Sequence, residues 1–270
     1  MAEPAAVEPA PRVDAHAHIF TRAMPFAEDA HSTPDYDYAV ESYLADLDTY
    51  GIDYGVIAAA SLYGENNAYT LAALRQYPRL RGTVIVSPRS DFATLQKMAD
   101  QGVVGVRLQW RRTDQFPDLR EEPYRSLLKR MADCGLHAEL LAKGEQLPLL
   151  LPGFAETGVR IVIDHFGAPP RDPTQRAAGL DAIGQAAERA DLWVKLSAGF
   201  RIPYDIAAEC TDRLLGSIGP DRLLWGSDAP FVNHENSASF EDALALYTRL
   251  VPNAATRQAI DEAAMKLFFQ

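Results

Sequence analysis

The feature that most limits what this chain can fold into is an alternation, repeated about eight times, of short apolar runs with longer stretches whose apolar residues recur at helical spacing. The first run is 13–20, VDAHAHIF, followed by a polar loop over 20–38 that carries Pro25 and Pro34. Val40, Tyr43, Leu44 and Leu47 then mark one face of a helix over 40–50, stopped by Gly51. The later pairs are strand 54–60 with helix 67–76, 82–86 with 91–101, 103–108 with 123–133, and 136–141 with 147–157. Strand 160–164 precedes a helix over 181–189, strand 192–196 precedes 204–218, and strand 223–225 precedes 240–250 and a last helix near 256–268. Eight such units close a barrel of parallel strands. An open doubly wound sheet is the alternative, but no G-x-G-x-x-G follows an early strand. The pattern predicts a single (β/α)8 TIM-barrel domain over 12–270.

In such a barrel, chemistry is built where strands end at their carboxyl side. His16 and His18 fall late in the first run, two residues apart, so in a strand they project to one side together. Asp164-His165-Phe166-Gly167 ends the sixth run and Trp225-Gly226-Ser227-Asp228 ends the eighth. Individually, His165 could serve a helix cap and Asp228 could cap the turn at Ala229-Pro230. Together they place three imidazoles and a carboxylate at one end of one barrel.

Composition narrows the partners. The chain has 270 residues, 47% hydrophobic and 23% charged, with a formal net charge of -11, so neither a nucleic-acid backbone nor an anionic membrane surface is an expected partner. No apolar run approaches the ~20 residues of a membrane-spanning helix. Cys134 and Cys210 are far apart and lack C-x-x-C spacing, which reads as reduced thiols and suits a cytoplasmic protein. Residues 1–11, MAEPAAVEPAP, have neither the basic nor the apolar segment of a signal peptide and read as a disordered lead-in.

At the level of motifs, the chain resembles the amidohydrolase superfamily, in the branch that contains 2-pyrone-4,6-dicarboxylate lactonases. The resemblance runs from Val13 to about Phe268 and is carried by VDAHAHIF, SLYGENN, GVRL, HAEL, VIDHFG, WVKLSAGFR and LLWGSDAP. It implies a hydrolase that opens a small carboxylated or polyhydroxylated lactone, with Asp228 activating water and His16, His18 and His165 polarising the carbonyl. A lactone isomerase on the same scaffold and a zinc-dependent decarboxylase of the same superfamily are the alternatives. A non-catalytic small-molecule binder is disfavoured by the intact Asp228.

Metal-dependent relatives add a lysine or glutamate from strand four or a histidine from strand five. Here strand four offers Arg107, and strand five has His137 only at its amino end, on the wrong side of the barrel. No cofactor is therefore expected; if one divalent ion such as zinc is bound, His16, His18, His165 and Asp228 would be its ligands. Arg107 and Arg201 are the expected cations for a substrate carboxylate, with Ser61 and Tyr63 supplying hydroxyls. Arg111, Arg112 and Arg171 rank below them, and Lys195, inside strand seven, reads equally as structural or as a site residue. Three departures from the lactonase pattern are Ala168 after the DHFG run, Ala229-Pro230-Phe231 after Asp228, and Gln109-Trp110 after GVRL. They bear on the dicarboxylate substrate more than on the reaction type. Homo-oligomerisation is left open by the sequence.

Overall fold

The computed structural model describes residues 10–113 and 115–270, so most of the expected lead-in lies outside the described residues. Among these, eight parallel strands pair in chain order: β1 (Val13–Ala17), β2 (Tyr54–Ile57), β3 (Leu80–Val84), β4 (Val103–Gln109), β5 (His137–Leu141), β6 (Ile161–Ile163), β7 (Leu192–Leu196) and β8 (Leu223–Trp225). Between and after them run α1 (Val40–Thr49), α2 (Ala68–Gln76), α3 (Phe92–Ala99), α4 (Tyr124–Asp133), α5 (Leu147–Ala155), α6 (Pro173–Ala187), α7 (Tyr204–Ile218), α8 (Phe240–Leu250) and α9 (Ala254–Phe268). This is the expected (β/α)8 barrel. The strands read as continuous apolar runs because both faces are covered: all five residues of β1 and of β5 are buried.

One helix differs from its expected extent. The helix predicted over 181–189 starts at Pro173, because Asp172 caps it by accepting a hydrogen bond from Gln175 N at 2.8 Å and Pro173 fits the first turn. Its weakly apolar first half gave no periodic signal. β2 and β6 are also shorter than their apolar runs, which continue into the loops that carry the site.

The barrel closes between its first and last strands. Asp228 N donates to His16 O and His18 N donates to Ala229 O, both at 2.7 Å. Gly226 permits this approach: a Cβ there would lie 2.6 Å from His16 Cβ and 2.8 Å from His16 N. Asp14, wholly buried, accepts hydrogen bonds from Ser227 N (2.8 Å), Ser227 Oγ (2.6 Å) and His16 N (3.1 Å). The loop after β8 is thereby fixed against β1. At the opposite end α9 seals the barrel, with Ala264 and Phe268 packed on Val13, Ala15, Val56, Val162 and Leu224. His137 lies at that end, its ring 5.7 Å from Phe268, far from the mouth as expected.

Candidate active site

The strand ends bring the three expected histidines together. The His16 ring centroid lies 5.0 Å from that of His18 and 4.7 Å from that of His165. His18 Nδ1 donates to Ala58 O at 2.8 Å, since a carbonyl can only accept, and this turns Nε2 toward Asp228 Oδ1 at 3.4 Å. His165 Nδ1 sits 2.8 Å from Ser197 Oγ. Both His165 and Asp228 adopt left-handed backbone angles, with φ of 56° and 62°. Such angles cost non-glycine residues on the order of 1–3 kcal/mol and persist where surrounding structure enforces them. At Asp228 the enforcing contact is its N–H bond to β1.

Asp228 is held from two sides. Arg201 Nε and one terminal nitrogen reach Oδ2 at 3.1 and 3.0 Å, while Oδ1 faces His18 Nε2 and, at 3.6 Å, His16 Nε2. Burial alone would raise its pKa; the surrounding His165, His18 and Arg201 overcome that and keep it well below the usual carboxylate range. Burial pushes His16 down to about 4 and His165 to about 3, with Lys195 adding to the effect on His16. Both imidazoles are neutral near pH 7.

Above Asp228 opens a cavity of about 460 Å³ whose floor includes His18, His165, Arg107 and Asp228. Ser61, Gln109, Arg111, Arg112 and Arg201 line its walls, with His31 and His234. Arg111 is pushed below its ordinary range by burial and by the like charges of Arg201 and Arg112. His31 is lowered by burial and by Arg112, Arg201 and Arg111. Mutual repulsion of this kind marks a positive potential, local to the cavity, in a chain that is acidic overall.

Several expected roles shift once positions are known. His16 is sealed beneath the cavity, fully buried, and touches Asp228 and Arg107 instead of lining the open space. Arg107 lines the cavity, but its fork is held from beneath: Nε lies 2.9 Å from Glu139 and 3.1 Å from Asp164, one terminal nitrogen is 2.8 Å from Asp164, and the other is 2.8 Å from Ala59 O. Tyr63, expected to offer a hydroxyl, is a core residue instead. The tight turn over 61–63 aims Ser61 at the cavity and Tyr63 back into an aromatic cluster, stacked 5.3 Å from Phe26. Trp110 likewise packs away from the mouth, on Tyr124 and Phe154. Arg111 and Arg112, ranked low from sequence, line the cavity; Arg171 does not.

Asp14, Glu139, His31 and His234 are not among the residues expected at the site, and Asp164 has no expected role there. Glu139 had a signal. It is a carboxylate in the middle of an apolar parallel strand, and Lys195 is a cation inside β7, another apolar strand. Opposite charges inside two buried strands require each other, and their atoms meet at 2.5 Å. His31 and His234 sit in loops, where no periodicity reports direction.

Comparison with known proteins agrees with this architecture. The sequence profile described as amidohydrolase matches residues 13–269. The chain is 30% identical over 267 residues to 4-sulfomuconolactone hydrolase of Rhizobium radiobacter, covering 92% of this chain and 86% of that one. It is 27% identical over 277 residues to 2-pyrone-4,6-dicarboxylate hydrolase of Comamonas testosteroni, covering 93% and 88%. A crystal structure of a probable 2-pyrone-4,6-dicarboxylic acid hydrolase from Acinetobacter baumannii, with citric acid bound, superposes with a TM-score of 0.88 at 30% identity, covering 96% of this chain and 99% of that one.

Proposed function

The chain belongs to the amidohydrolase family, and we propose that it opens the ring of a small anionic lactone by hydrolysis, with Asp228 as the base. The observation that carries this is the position of Asp228: an ionised carboxylate on the floor of a cationic cavity, beside two imidazoles that also reach that cavity. Water attacks the lactone carbonyl carbon and gives its proton to Asp228. His165, whose Nδ1 can accept from Ser197 Oγ and so leave the ring hydrogen on Nε2, stands where a hydrogen bond can meet the charge growing on the carbonyl oxygen, while His18, bonded through Nδ1 to Ala58 O, packs beside Asp228 on the cavity floor. The ring C–O bond then breaks, the departing oxygen takes the proton back from Asp228, which restores the base, and the new acid group ionises to a second carboxylate with release of one proton. Arg201, Arg111 and Arg112 supply the charge that holds an anionic substituent of the substrate. Two of the relatives carry names of enzymes that act on anionic lactones, which supports this substrate class.

Two groups of side chains come close enough to hold a metal ion, His16 with Asp164 and His165, and His16 with His18 and Asp228. We infer that the enzyme works without one, because the charges are already balanced. Arg107, Lys195 and Arg201 stand against Glu139, Asp164 and Asp228, each within ion-pair distance of a partner. A divalent ion would add two uncompensated charges to a buried site, a costly arrangement. The residues present do not fit it. A decarboxylase dependent on zinc is disfavoured on the same ground, and we take the protein to act in the cytoplasm, in keeping with its two free cysteines.

The test is a panel of carboxylated and neutral lactones, followed by proton release, on protein dialysed against chelator and analysed for metal. Turnover of a carboxylated lactone at unchanged rate after chelation is expected. Activity that appears only with an equivalent of zinc would overturn the metal-free reading.

A further inference from the structure

We propose that Lys195 is a positioning residue: it locks His16 in the tautomer whose hydrogen sits on Nε2, aimed at Asp228, and so keeps the paired histidines of β1 from acting as a metal-ligand set. The tautomer assignment stands on geometry alone, whereas its catalytic consequence rests on the metal-free hydrolase reading above.

Lys195 is fully buried and does not line the cavity. Its ammonium lies 2.5 Å from Glu139 Oε2, 3.2 Å from Asp164 Oδ1 and 3.0 Å from His16 Nδ1. An ammonium has three donors and no acceptor, so at His16 it is Nδ1 that accepts. Asp164 Oδ1 is the competitor for that nitrogen; it acts on the ring from 3.2 Å, but off the line a hydrogen bond needs, whereas Lys195 is closer at 3.0 Å and well aligned. With Nδ1 accepting, the neutral ring carries its hydrogen on Nε2, which faces Asp228 Oδ1 at 3.6 Å. Arg107 also approaches Nε2, at 3.5 Å, with the second hydrogen of the terminal nitrogen that donates to Asp164 at 2.8 Å, but a contact of that length counts for little against the 3.0 Å one from Lys195.

The contrast with His18 shows what the lysine does. A metal-ligating histidine donates from its far nitrogen to a carbonyl or carboxylate, which bares the other nitrogen for the ion. His18 has that arrangement, with Nδ1 on Ala58 O. His16 has an ammonium in the same place. Its Nε2 therefore offers a hydrogen where a ligand would need a lone pair, and that hydrogen is directed toward the Asp228 oxygen that Arg201 does not hold, 3.6 Å away.

The direct test needs no substitution. Protein labelled with 15N-histidine is examined by long-range 1H–15N correlation, and His16 should show a protonated Nε2 and a bare Nδ1. A hydrogen on Nδ1 would overturn the proposal. Lys195→Met should move the hydrogen to Nδ1, facing Asp164; retain close to one equivalent of zinc after dialysis where wild type retains little; and lower kcat about 10- to 100-fold, as loss of a tautomer-fixing partner does, with KM changing only a few-fold. Since Lys195→Met leaves Glu139 without its ammonium, Lys195→Met with Glu139→Gln provides a second variant lacking both charges. An unmoved His16 spectrum in a folded variant would overturn the lock. A wild-type spectrum of the expected form in a protein inert toward every lactone would leave the lock in place and remove the hydrolase reading instead.

Discussion

Arg201 binds a single oxygen of Asp228, through two nitrogens at 3.1 and 3.0 Å, and leaves the other oxygen to the histidines. The residue expected to grip substrate therefore also sets the ionisation and aim of the proposed base. Arg201→Met should let the Asp228 pKa rise toward its ordinary value, so the acid limb of kcat/KM moves to higher pH. At neutral pH the misdirected carboxylate should cost on the order of 100-fold. A profile with an unmoved limb would show that Arg201 serves substrate alone.

Asp228→Asn keeps size and removes proton acceptance. Turnover should fall on the order of a hundred- to ten-thousand-fold, with the fold and substrate binding retained, as measured by circular dichroism and by competition with a carboxylated lactone. Because Asp228 is held well below the usual carboxylate range, its own ionisation should not limit the wild-type rate anywhere near neutral pH. Retention of most activity in the variant would reduce Asp228 to a turn residue.

Arg111→Met should raise KM for a carboxylated lactone roughly ten- to a hundred-fold, the worth of one charged hydrogen bond, while kcat and the KM for a neutral lactone change little. Arg171→Met, at an exposed position outside the cavity, should match wild type. Equal effects of the two on steady-state kinetics would misplace the anion site.

Arg107→Met tests a structural role against a binding one. Glu139 and Asp164 would each lose a buried partner, so unfolding in urea should show a loss of about 3–5 kcal/mol. A variant of unchanged stability but raised KM would restore Arg107 as a substrate anchor.

Acid should unfold the protein in two regimes. Between pH 6.5 and about 4, the unfolded chain protonates His16 and His165 while the folded one does not, which costs stability as pH falls. In the same window folded Asp14 and Asp261, raised by burial to about 6, take protons that the unfolded chain does not, which offsets the loss. Below about 4 the depressed carboxylates Asp164, Glu139 and Asp228 are protonated first in the unfolded chain, so stability should collapse. Thermal midpoints measured across pH should stay nearly level and then drop steeply; a steady decline from pH 6.5 would show that the offset is absent.

The sequence by itself determined the barrel, because apolar runs alternating with helical periodicity report which residues leave water, and eight such units leave one closed arrangement. It also determined that His16, His18, His165 and Asp228 meet, because the end of a barrel strand has only one place to go. Only the tertiary structure decided what each does there. Direction in a loop has no period, so Tyr63 turned into the core while His31, His234, Arg111 and Arg112 turned to the cavity. The pairing of buried charges depends on which strands stand across the barrel from one another, and that is how Lys195 came to lie between Glu139 and His16. A hydrogen on one histidine nitrogen or the other is settled by a neighbour 179 residues away in sequence, a distance over which spacing alone carries no information.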